Sequence, residues 1–92
     1  MREQDIQRAG VKYIESQGGY VVKIITANKA GVPDVVFCLK GVYGAIEFKT
    51  PKGVLAPLQE YHLKKIRDAG GIAEVARSLD DVKKILESCL KA

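Results

Sequence analysis

Twice in this chain a helical hydrophobic repeat stops at a pair of glycines and a short extended run takes over. Residues 2–17 carry Ile6, Ala9, Tyr13 and Ile14 at helical spacing, and Gly18-Gly19 ends the pattern. Tyr20-Val21-Val22-Lys23-Ile24-Ile25 follows, β-branched and short, and reads as a strand. Further on, Pro57 suits a first helical turn, the pattern runs to Ala69, Gly70-Gly71 closes it, and Ile72 to Ala76 reads as another strand. Between these units residues 26–32 form a polar turn. Pro33 opens a strand that runs to Leu39, where proline is tolerated as a first residue. Lys40-Gly41-Val42 turns the chain, and a third strand continues to about Lys49. Residues 50–56 are a loop with Pro51 and Gly53. Ser78 caps a last helix, with Asp81 in place of the usual Glu three residues on, and Leu79, Val82, Ile85, Leu86 and Cys89 form its apolar stripe. The order helix, three strands, helix, strand, helix predicts an α/β sandwich around a mixed sheet, with strands two and three as a hairpin.

The 92 residues are one domain's worth, and a chain this short buries only about 60–65% of its unfolded surface, so a partner subunit would help it. Residues 1–92 are expected to form a single unit, with no repeat or linker. No stretch approaches the roughly 18 apolar residues of a membrane span, and no apolar run follows Met1–Asp5 as a secretory signal would require. Cys38 and Cys89 have neither metal spacing nor a disulfide framework. Cys38 sits in an apolar run and is expected to be a buried thiol, which a reducing cytoplasm permits. Net charge is +4, compatible with a polyanion as partner, although the charges are scattered and also fit an ordinary solvated surface.

The third strand reads Gly44-Ala45-Ile46-Glu47-Phe48-Lys49. Alternation puts Ile46 and Phe48 on one face and Ala45, Glu47 and Lys49 on the other. A carboxylate and an ammonium then share a face, about 6–7 Å apart along the strand. In a covered sheet that is costly unless the charges are paired or bind a metal. An edge strand with one wet face is the alternative. Asp34 bears on the choice, because in a hairpin the start of strand two lies near the end of strand three. Two carboxylates converging there, with the Phe48 backbone carbonyl between them, make an oxygen site for a hard cation such as magnesium. A lysine beside the cation can orient a water or offset charge on a phosphate. Asp34 alone could instead be a turn residue capping its own backbone.

Gly31-Val32-Pro33-Asp34 followed by Ile46-Glu47-Phe48-Lys49 resembles the motif of the PD-(D/E)XK nucleases, and most closely their VRR-NUC branch. The supporting features run through residues 3–59: an early acid on the first helix, Glu3, and Leu58-Gln59 opening the second. The resemblance implies a restriction-endonuclease-like core and a DNA endonuclease dependent on magnesium or manganese. Asp34 and Glu47 would bind the metal, Lys49 would be the catalytic lysine, Glu3 would add a further acid to the site and the metal, and Gln59 would support it. Stand-alone relatives resemble phage-encoded Holliday-junction resolvases, so branched DNA, a homodimer and the host cytoplasm are what the likeness implies. It implies neither a membrane nor a small-molecule substrate. Two features depart from the pattern: Ala56 stands where helix two often has a Ser or Thr cap, and no Val-Arg-Arg tripeptide is present.

Read from the residues alone, Glu3 shares a helix face with Ile6, Gly10 and Ile14, which suits an acid beside the sheet but also a first-turn acid favoured by the helix dipole. Gln59 lies on one stripe with His62, Leu63 and Ile66 and needs a polar partner. His62 is read as a structural partner. Lys23, Lys29 and Lys52 are candidate contacts to DNA phosphates, with a snorkelling surface lysine as the alternative for Lys23. Gly44 to Thr50 is not a phosphate loop, because the glycine required before Lys-Thr is missing. The other functional class these residues allow is a non-catalytic or partner-dependent DNA-binding module on the same scaffold.

Overall fold

The computed structural model describes residues 2–91. Helix α1 spans Glu3–Ser16, strand β1 Tyr20–Lys23, β2 Val35–Leu39, β3 Val42–Phe48, helix α2 Pro57–Asp68, β4 Ile72–Ala76 and α3 Leu79–Lys91. The strands lie in the order β1-β2-β3-β4. The first three pair antiparallel, and β4 joins β3 in parallel after the crossover through α2. This is the α/β architecture and element order read from the sequence.

Both glycine pairs end their helices in the same way. Gly18 and Gly70 take positive φ, and the N–H groups of Gly19 and Gly71 return to the carbonyls of Ile14 and Ile66 at 3.0 Å each. A left-handed residue after the helix satisfies carbonyls that would otherwise be orphaned. Ser78 caps α3: its Oγ accepts the Asp81 N–H at 3.2 Å. The Asp81 carboxylate accepts the Arg77 N–H at 2.8 Å, one residue earlier than a capping box would have it.

Helices α1 and α3 pack on one face of the sheet. Their buried stripes, with Ile6 and Ile14 on α1 and Val82, Ile85, Leu86 and Cys89 on α3, meet Val35, Phe37, Leu39, Ile46 and Phe48. Two glycines let these layers close. A Cβ on Gly10 would meet the Phe48 ring at 2.9 Å, and one on Gly44 would meet the Phe37 ring at 2.2 Å across the β2–β3 pair. Helix α2 packs on β3 and β4 and buries Leu63.

The other face of β1 and β2 stays open. Tyr20, Cys38 and Tyr43 form one cross-strand row there, and all three are exposed. The Cys38 thiol is therefore exposed rather than buried. Its neighbours Phe37 and Leu39 point into the core, alternation turns Cys38 outward, and no helix covers it. Cys89 is the buried thiol. Two strand bounds also differ from the sequence reading. Strand β1 stops at Lys23 rather than Ile25, and β2 starts at Val35 rather than Pro33. Proline has no N–H to extend the ladder, so pairing dies out where Pro33 stands. Among the described residues no helix is long and apolar enough to cross a membrane.

Candidate active site

Strand β3 is buried from Gly44 to Phe48, and Glu47 is the one charged residue in that run. Its side chain faces α2, as alternation requires, and only 3% of the residue is exposed. Helix α2 supplies its partner. Gln59 stands at the third helical position, where its Oε1 accepts the Ala56 N–H at 2.9 Å and its Nε2 donates to Glu47 Oε2 at 3.0 Å. The first bond is the returning half of a capping box, satisfying the Ala56 N–H although Ala56 itself offers no cap, and it fixes the amide so that the N–H group faces Glu47. Lys49 Nζ lies 3.9 Å from the same Oε2, and its side chain is largely buried.

Asp34 arrives from the other strand of the hairpin. The register pairs Val35 with Ile46. Two residues further the register would set Phe48 opposite Pro33, beyond the end of β2. There the Asp34 carboxylate stands in for a partner-strand carbonyl: its Oδ2 accepts the Phe48 N–H at 2.7 Å. In a strand the carbonyl of a residue points to the same side as its N–H, so the Phe48 carbonyl faces a proline that cannot donate to it. Gly31 sets the approach of this turn. Its φ is 81°, and a Cβ there would strike Leu58 at 2.7 Å, the residue beside Gln59.

The electrostatics follow from this packing. Glu47 is pushed from an ordinary 4.5 up to about 7, first by burial and then by the charge of Asp34. Lys49 pulls it down, and Glu3, at the start of α1, pushes it up again. One carboxylate oxygen, Glu47 Oε1, is buried without a hydrogen-bond partner. A buried acceptor without a donor, next to a second carboxylate, is relieved by a cation. Among the described residues no three His, Cys, Asp or Glu side chains come together closely enough to hold a metal by themselves. The donors in reach are Asp34, Glu47 and the Phe48 carbonyl, and magnesium commonly keeps water in its remaining positions. The residues present fit such a cation.

Residues 4–80 match the VRR-NUC domain family. The chain belongs to that family. Among solved structures, one described as a VRR_NUC domain is 28% identical and superposes with a TM-score of 0.81, covering 92% of this chain and 94% of its own. A second, a VRR_NUC domain protein, is 19% identical with a TM-score of 0.81 and covers 99% and 89%. The Holliday junction resolvase Hjc from the archaeal hyperthermophile Archaeoglobus fulgidus shares the fold at 21% identity and a TM-score of 0.59, over 82% and 70%. No curated protein matches. The VRR-NUC match is consistent with the PD-(D/E)XK nuclease superfamily, and it makes this a nuclease domain.

Of the residues expected at a VRR-NUC site, the fold brings Asp34, Glu47, Phe48, Lys49 and Gln59 together. Glu3 comes near enough for its charge to act on Glu47, without a direct bond to it. Lys23 ends β1 opposite Val35, and Lys29 and Lys52 lie exposed in the flanking loops. His62 stacks edge-on against Tyr61, at 5.3 Å between ring centroids. Arg77 was not foreseen. Its Nη1 donates to the carbonyls of Thr50, Pro51 and Gly53 at 2.8, 3.4 and 2.6 Å, holding the loop that follows Lys49. An arginine between a strand and a helix cap carries no sequence signal for this, because its acceptors are 24–27 residues away.

Proposed function

We propose that this VRR-NUC domain is a divalent-metal-dependent DNA endonuclease, selective for branched DNA and acting as a homodimer. The observation that carries the reading is the buried Glu47 carboxylate with its unpartnered oxygen beside Asp34. A pure DNA binder gains nothing from burying an acid where phosphates must approach.

In this reading Asp34, Glu47 and the Phe48 carbonyl hold the cation, and Glu3 adds negative charge at the edge of the site. Bound magnesium or manganese would supply a Lewis acid for the scissile phosphate and lower the pKa of the attacking water. Gln59 keeps the Glu47 carboxylate in one orientation, leaving its other oxygen free. Lys49 offsets charge on the phosphate as the new P–O bond forms and the old one breaks, and it orients the incoming water. Lys23, Lys29 and Lys52 contact the DNA backbone. The likeness in fold to a Holliday junction resolvase supports the reading of branched DNA as substrate, and a two-fold arrangement suits it because paired cuts call for paired sites.

The test is cleavage of a labelled four-way junction beside linear duplex and single strand, with magnesium, manganese or EDTA. Metal-dependent symmetric nicks confined to the junction are expected. Cutting of all three substrates would remove the structure selectivity. Binding without cutting in any metal would leave the module or partner-dependent alternative.

A further inference from the structure

A groove runs along the outer face of α1, outside the nuclease site. It has a volume of about 350 Å³ and is lined by Gln4, Gln7, Arg8, Val11, Lys12, Glu15 and Lys23. Two elements build it. Helix α1 contributes residues at one-turn steps, so Arg8 and Lys12 stand about 6 Å apart along the axis. Strand β1 contributes its last residue, Lys23, which shares a face with core-packed Val21 and so leans towards α1. Chain adjacency sets one end of the groove on the side of the nuclease site. Gln4 follows Glu3, Lys23 pairs with the residue after Asp34, and the Ile24 N–H donates to the Asp34 carbonyl at 2.8 Å.

The charge in this groove is uncommitted. Among the described residues neither Lys12 nor Lys23 is in an ion pair. Arg8 has only Asp5, at 3.6 Å and well exposed. Such a pair contributes little and opens readily. Gln4 and Gln7 add neutral amide donors, and Glu15 is the lone acid of the lining, at the end far from the site.

We propose that this groove binds the sugar-phosphate backbone of the DNA strand running away from the cleavage site. Arg8, Lys12 and Lys23 contact its phosphates, Gln4 and Gln7 donate to its oxygens, and Glu15 closes the track. The proposal rests on the nuclease reading and assigns the surface on which the substrate lies. Cations converging from two elements beside two metal-binding carboxylates give a polyanion a path to the site that the carboxylates alone would repel.

The experiment is fluorescence anisotropy of a labelled four-way junction, with EDTA to prevent cutting, across a series of potassium chloride concentrations. Each lost phosphate contact lowers the slope of log affinity against log salt by about 0.9. Lys12→Ala and Lys23→Ala should each show that change, and the triple variant with Arg8→Ala about 2.7. Glu15→Lys should bind more tightly with a steeper slope. Lys64→Ala, on the exposed face of α2, should match the wild type. Unchanged slopes in the triple variant, or an equal loss in Lys64→Ala, would overturn the groove and leave the nuclease reading standing. A wild type that neither binds nor cuts the junction would sink both.

Discussion

At the scale of single residues the site turns on a carboxylate kept dry. Glu47 is buried, carries one unpartnered oxygen and is pushed up to about 7, so without metal it is about half protonated at neutral pH. Glu47→Gln keeps the shape and removes the charge. It should abolish metal-dependent nicking of the junction, and calorimetric titration with magnesium should show binding lost in the same variant. Normal magnesium affinity in Glu47→Gln would remove Glu47 from the ligand set. Gln59 acts one step out, through its bond to Glu47 Oε2. Partners of metal ligands are typically worth about 10- to 100-fold in activity or affinity, so Gln59→Ala should fall in that range. A rate unchanged by Gln59→Ala would reduce its role to capping α2.

At the scale of elements the β2–β3 hairpin carries the site, and its turn is not optimal. Lys40 and Gly41 both take positive φ, 53° and 81°. Two-residue turns of this kind favour Asn-Gly, because positive φ presses Cβ against the following carbonyl and the short Asn amide offsets that cost by bonding locally. Lys40→Asn should therefore stabilise the fold by about 0.5–1 kcal/mol in urea unfolding, with cutting unchanged. Gly44→Ala should do the reverse. Its new Cβ would enter the Phe37 ring, and overpacking of this kind costs roughly 1–3 kcal/mol. A neutral Gly44→Ala would mean that the two strands separate more easily than the close contact implies. Arg77 works at the same scale, tying the end of β4 to the loop after Lys49, and Lys49 itself donates its N–H to the Ala76 carbonyl at 3.1 Å.

At the scale of the whole molecule the buried acid couples stability to pH and to metal. The folded protein holds a proton on Glu47 that the unfolded chain, with an ordinary 4.5, has already released. That contribution is fully present below about pH 4.5 and is lost as pH rises through about 7. On the order of 3 kcal/mol should disappear between those limits in EDTA, measured by urea unfolding. Saturating magnesium should flatten the slope, since a cation that binds only the folded state stabilises the charged carboxylate. Persistence of the full slope in Glu47→Gln would place its origin elsewhere. The open sheet face with Tyr20, Cys38 and Tyr43 also belongs to this scale, because a chain of 92 residues has little core to spare.

Much of this was written in local pattern. Period, glycine pairs and the proline at α2 marked all seven elements, because helix ends and strand alternation depend on neighbours a few residues away. Asp34 and Glu47 could be brought together from the sequence because one short hairpin joins them. What lay beyond reach involved distance along the chain or the absence of cover. The open side of β2 turned Cys38 outward, Pro33 ended the ladder early, Arg77 reached back to the carbonyls of Thr50 and Gly53, and α1 met Lys23 in a basic groove. Those outcomes depend on which surfaces the helices leave uncovered and which charges they bring near, and only the packed chain decides that.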